Sequence, residues 1–162
     1  MHVTGIGFRR LPWGIPPSMA AGLDDPFELP TLERLDELTR LIDGGLSVYL
    51  RYSPGPVADA SHPSTDHESG LVMPGLSVNP LAPPRWWSLP VADWVARRVC
   101  QYLRELAEGA RPWVLTGRVI DFGPDNEPLL DEVRPIAWLS RSLVREAHQR
   151  YQERLDAGQA TH

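Results

Sequence analysis

The sequence predicts an α+β domain in which about three helices pack on a small, mostly antiparallel sheet. Three observations predict it. Apolar residues recur at three-to-four spacing in three separate stretches, strict alternation runs through "LSVYLRYS", and two apolar strands flank the turn "GPDNEP". The order helix, strand, strand, helix, strand, strand, helix lacks the regular strand–helix alternation of a parallel sheet. At 162 residues, 42% of them apolar, the chain can bury one core and is short for two.

Residues 1–30 are rich in proline and glycine and read as an irregular arm over the body, with Phe8, Trp13 and Phe27 as anchors. Residues 31–158 form the domain, and 159–162 a polar tail. Thr31 follows Pro30 as an N-cap. Leu32, Leu35, Leu38, Leu41 and Ile42 then share one helical face until Gly44-Gly45 ends it. In 46–53 the period changes to two, so Leu46, Val48, Leu50 and Tyr52 face one side and Ser47, Tyr49, Arg51 and Ser53 the other.

Residues 54–69 show no periodicity and hold three prolines, which predicts a long exposed loop of the kind that often carries function. A strand at 75–81 ends at Asn79-Pro80. The second helix follows Pro90, with Val91, Trp94, Val95, Val99, Tyr102, Leu103 and Leu106 inward, and stops at Gly109. A strand over 113–121 enters the GPDNEP turn. The next strand carries Pro128 and Pro135, which remove backbone donors and place it at an edge or at a bulge. Ser140 or Ser142 caps the last helix, whose inward residues are Leu143, Val144, Ala147, Tyr151 and Leu155.

Charge and composition exclude several function classes. The net charge is −5 and the 16 basic residues, all arginine, are scattered, which argues against a nucleic-acid partner held by its phosphates. No run approaches the roughly 20 apolar residues of a membrane span, and "MHVTGIGFRR" lacks the order of a secretory signal. A cytoplasmic location is the expectation. The single cysteine, Cys100, cannot form an internal disulfide and reads as a packing residue. Asp59, His62, Asp66, His67 and Glu68 offer metal donors, but their spacing matches no known ligand set, so no metal site is assigned.

Two places carry candidate chemistry. Arg51 and Ser53 share the polar face of the first strand, where a guanidinium fork can grip a phosphate or carboxylate, and Ser77 on the next strand can join them. Asp125 and Glu127 in the turn are the candidate acids. The plainer readings are an ion pair from Arg51 to an acid such as Glu127, and side chain to backbone bonding within the turn. The tryptophans at 86, 87, 94, 113 and 138 read mainly as core-closing residues.

The blocks "LRYSPGP", "SGLVMPGLSVNPL", "WVARRVCQY" and "RPWVLTGRVIDFGPDNEPLLDEVRPIAWL" resemble an uncharacterised family of small actinobacterial proteins, which implies no activity. The order Arg51, Ser77, Asp125-Asn126-Glu127 further resembles the arginine, serine and acid-x-Glu pattern of ADP-ribosyltransferases. That resemblance implies NAD as cofactor, Arg51, Ser53 and Ser77 as its binding residues, Glu127 beside the cationic sugar and Asp125 orienting the acceptor. The alternative is a non-catalytic accessory module that presents the 54–69 loop and a Trp86-Trp87 rim to a protein partner.

Overall fold

The computed structural model describes residues 28–103 and 109–156, so residues 1–27 of the arm expected over 1–30, Leu106 of the expected second helix and the tail over 159–162 lie outside the described residues. Among them, a mixed sheet carries three longer helices and one short one. In chain order the elements are β1 (Thr31–Leu32), α1 (Leu35–Asp43), β2 (Tyr49–Ser53), α2 (Pro56–Ser61), β3 (Leu76–Ser77), β4 (Asn79–Pro80), α3 (Val91–Gln101), β5 (Arg111–Phe122), β6 (Pro128–Leu139) and α4 (Arg141–Tyr151), which continues into a π-turn over Gln152–Asp156. The α+β class is as the sequence predicts, and only the β1–β6 pairing is parallel.

Helical periodicity is borne out where an apolar stripe meets the sheet. Leu35 and Leu38 of α1, Val95, Ala96 and Val99 of α3, and Leu143, Val144 and Ala147 of α4 are buried against Val48, Leu50, Tyr52, Val114, Ala137 and Leu139. Each fully buried leucine removed from water contributes about 2 kcal/mol before the entropy of ordering is charged against it. Ser140 caps α4 by accepting the Leu143 N–H at 3.0 Å. Thr31, in contrast, is not the cap of α1. It lies in β1, where Pro30 and Leu32 carbonyls accept the Trp138 and Ser140 N–H groups at 2.9 Å each. The helix starts three residues later, with the Glu37 carboxylate accepting the Arg34 N–H at 3.0 Å.

The second sheet face is also apolar. Trp113, Leu115, Leu130 and Val133 pack there with Leu76 and Val78, and Tyr49 and Trp138 lie against them. Part of its cover is the segment 76–80, which the sequence reads as one strand over 75–81. It is two short ladders: Leu76 and Ser77 pair with Leu130 and Leu129 of β6, and Asn79 and Pro80 with Leu50 and Tyr49 of β2. One stretch of chain is therefore bonded to both margins of the β6–β5–β2 sheet and curls it over the second core.

The expected bulges are present. Leu115 stands opposite Pro135 just after a register shift, and another shift lets three residues of β6 span two of β5, with Glu132 in the left-handed region at φ 48°. Among the described residues β6 has strand neighbours on its outer side only at its two ends, which leaves Pro135 a place without a ladder donor. The expectation of an exposed loop over 54–69 is overturned in its first half: residues 56–61 are α2, with Pro56 and Asp59 buried.

Candidate functional site

The candidate residues of the first strand sit on the second face of the sheet, beside Trp113. Arg51 is opposite Trp113 in the β2–β5 ladder, and Ser53 is opposite Arg111. Gly55, at φ 139°, turns the chain back after β2 so that α2 crosses over this face. Asp59 in the first turn of α2 then points inward. A Cβ at Gly55 would come within 2.7 Å of the Trp138 ring, so both conformation and space require glycine.

Asp59 is the centre of a filled network. The Arg51 guanidinium donates from Nε to Asp59 Oδ2 at 2.6 Å and from Nη2 to Oδ1 at 3.0 Å. Ser53 Oγ donates to Asp59 Oδ2 at 2.6 Å and accepts from Trp113 Nε1 at 2.9 Å. The third nitrogen, Arg51 Nη1, donates to the Ser77 carbonyl at 2.7 Å. Side chains of Arg51 and Asp59 are only 20% and 6% exposed, so this bidentate pair works at low dielectric, where losing either partner is costly.

Ser77 links this network to the hairpin turn. Its N–H donates to Ser64 Oγ at 3.1 Å, and its hydroxyl donates to Glu127 Oε1 at 3.4 Å. The other Glu127 oxygen accepts the Asp125 N–H at 2.9 Å. Within the turn the Asn126 N–H bonds the Gly123 carbonyl at 3.0 Å, and Asn126 is left-handed at φ 61°. Glu127 thus folds over its own turn, while the Asp125 side chain is exposed. The fold gathers Arg51, Ser53 and Ser77 with Glu127 at the margin, and leaves Asp125 outside.

Chemically, this arrangement binds itself. All three guanidinium nitrogens of Arg51 already donate to protein oxygens, so an incoming oxyanion has to displace Asp59. The acid facing Arg51 is Asp59, eight residues along the chain, and not Glu127. Sequence reasoning left Asp59 among loop donors, yet a signal existed in "PGPVAD": Pro56 after a glycine is a helix start, and Asp59 falls in its first turn. A cavity of about 1,090 Å³ lies between Thr31, Leu103, Arg111, Ser140, Arg141 and Arg145, and none of the candidate residues lines it.

Burial pushes the Cys100 thiol up to about 11, which leaves about a thousandth of it as thiolate near pH 8. Among the described residues no group of three or more His, Cys, Asp or Glu side chains is placed to hold a metal ion. Asp66 organises its own loop, accepting from the Ser69 hydroxyl and the Glu68 N–H, and these bonds lower its carboxyl below the ordinary range.

Trp113 is fully buried, as a core reading expects, but three tryptophans form a separate surface cluster. Trp87 and Trp94 have centroids 5.1 Å apart, and Trp86 meets Trp87 at 6.2 Å and Trp94 at 6.1 Å, all edge to face. The Arg97 and Arg98 guanidinium carbons lie 5.6 and 5.3 Å from the Trp94 ring centre. Trp87 is held by its Nε1 bond to the Pro90 carbonyl at 3.1 Å, and Trp86 is 73% exposed.

No helix among the described residues is long and apolar enough to cross a membrane. No curated protein and no solved structure matches the chain. One family model does, over residues 25–161, which span both apolar faces of the sheet, the Arg51–Asp59 network and the tryptophan cluster. The chain therefore belongs to the family of unknown function DUF6098.

Proposed function

We propose that this chain is a non-catalytic protein-binding module whose contact surface is the tryptophan cluster at the start of α3. The observation that carries the reading is Trp86, a large ring left 73% exposed while its two neighbours brace it edge to face. Tryptophan and arginine dominate the energetics of protein interfaces, and a rigid indole loses little entropy on contact. Leu89 is exposed beside it, and Arg85 and Arg97 are exposed in a chain whose net charge is −5. The chemistry suits a protein segment that offers an apolar side chain flanked by carboxylates. Leu71 and Val72, exposed beside the Thr65–Val72 bridge, form a second apolar patch.

NAD-dependent ADP-ribosyl transfer is the weaker reading, since it needs Arg51 free to hold a pyrophosphate. Two measurements separate the readings. Millimolar NAD leaves the melting temperature of the wild-type chain unchanged on the binding reading, whereas a saturable stabilisation supports the enzymatic one. A photoreactive residue at position 86, used in the chain's own cells, is expected to trap one discrete protein, with Arg97→Glu weakening the product. Equal trapping from a control position at Glu153 on α4 overturns the proposal.

A further inference from the structure

β5 is twelve residues long, but β2 pairs only with its first part, from Arg111 to Leu115. Beyond that point, residues 116–122 are bonded to β6 on one side, and among the described residues no strand or loop backbone bonds the other. This free stretch is unusually apolar for an edge. Val119, Ile120 and Phe122 are 41%, 41% and 56% exposed. An edge that presents unpaired N–H and C=O groups is a template for another strand.

The sequence of the stretch, Thr-Gly-Arg-Val-Ile-Asp-Phe, selects the partner. Arg118 is opposite Asp131 and Asp121 is opposite Leu129, two residues along β6, so the bulge at Ile120 puts Arg118 and Asp121 on the same face. If two copies pair antiparallel about an axis between Val119 and Ile120, each Arg118 stands opposite the other copy's Asp121 on that shared face. Arg118 has the capacity for it: Nε and Nη2 are on Asp131 at 2.9 and 2.6 Å, and Nη1 has no partner among the described residues. Asp121 uses Oδ1 to accept the Phe122 N–H at 2.8 Å and keeps Oδ2 available.

We propose that the chain forms a two-fold dimer by antiparallel pairing of residues 116–122 of β5 with the same residues of a second copy. The occupant is self-complementary in charge, with Arg118 against Asp121 twice, and it buries Val119 and Ile120 of both copies at the axis. The pairing closes on itself. β2 occupies the edge on one side, and at the other Pro124 lacks a donor, so the pairing is confined to residues 116–122.

The test is a charge swap read by light scattering after size exclusion. Wild-type chain at roughly 100 μM is expected to run at twice the 18.1 kDa of one chain. Asp121→Arg and Arg118→Asp each set like charges opposite each other and are expected to run as monomers. An equimolar mixture of the two variants restores both oppositely charged pairs and is expected to return to the dimer. Circular dichroism checks that each variant is folded, and concentration-dependent protection of backbone amides within 116–122 in wild type gives a second reading that needs no variant. A monomeric wild type, a dimer that survives Asp121→Arg, or a mixture that stays monomeric overturns the proposal. Trp86→Ala leaves the dimer intact if this surface is independent of the tryptophan cluster.

Discussion

Arg51 shows how a residue can be placed correctly and still be given the wrong partner. The alternation of 46–53 puts Arg51 and Ser53 on one face, as observed, but the nearest acid in space is decided by where α2 turns. Asp59 is therefore the residue to alter. Asp59→Asn keeps the shape and leaves a part-buried guanidinium without its counter-charge. The cost is expected near about 3 kcal/mol, the low end for a broken buried pair because Arg51 keeps a path to water. For a chain of this size that lowers Tm by roughly 6–12 °C, and calorimetry against wild type reads it. A Tm unchanged by Asp59→Asn would mean the pair contributes nothing. At the exposed end of the sheet the Arg118 fork lowers the Asp131 carboxyl below its usual range, first through the side-chain bond itself. A carboxyl depressed in the fold stabilises it above the unfolded value and loses that contribution as pH falls through the folded one.

At the scale of elements, local signals worked where the chain supplies its own hydrogen bonds. The GPDNEP hairpin, the Ser140 cap and the α3 and α4 stripes are set by residues within a turn of one another. α2 was missed because six residues are too few for periodicity to show. Its entry point is the sensitive one. Gly55→Ala forces a side chain into a backbone region that only glycine occupies readily and drives a Cβ at Trp138. The expected loss is about 2–3 kcal/mol, with a shift in tryptophan emission as the Trp138 ring is displaced; alanine tolerated with unchanged emission would contradict this geometry. β1 was read as helix for a related reason. Two residues gain strand character only from the β6 partner beside them, Trp138 and Leu139, far later in the chain.

For the molecule as a whole, the consequential feature is the stretch 76–80 that ties both margins of the sheet. Its hydrogen bonds reach far along the chain: the Val78 N–H goes to the Pro128 carbonyl at 3.2 Å and the Leu81 N–H to the Val48 carbonyl at 3.0 Å. If the closure is an integral part of the core, these two amides exchange with solvent only on global unfolding, together with Val114 in β5. Exchange as rapid as that of Glu68 in the exposed loop would show that the segment opens by itself. The three longer helices, the mostly antiparallel sheet, the hairpin position and most of the inward faces of α1, α3 and α4 follow from the sequence alone, because periodicity and turn chemistry are local. Tertiary structure alone decided that Asp59 meets Arg51, that Glu127 folds over its own turn, that Trp86 stays outside while Trp113 is enclosed, and that among the described residues half of β5 has an open edge. Each of these is a choice among partners distant in sequence, and only the packing of the whole sheet settles which of them comes within bonding distance.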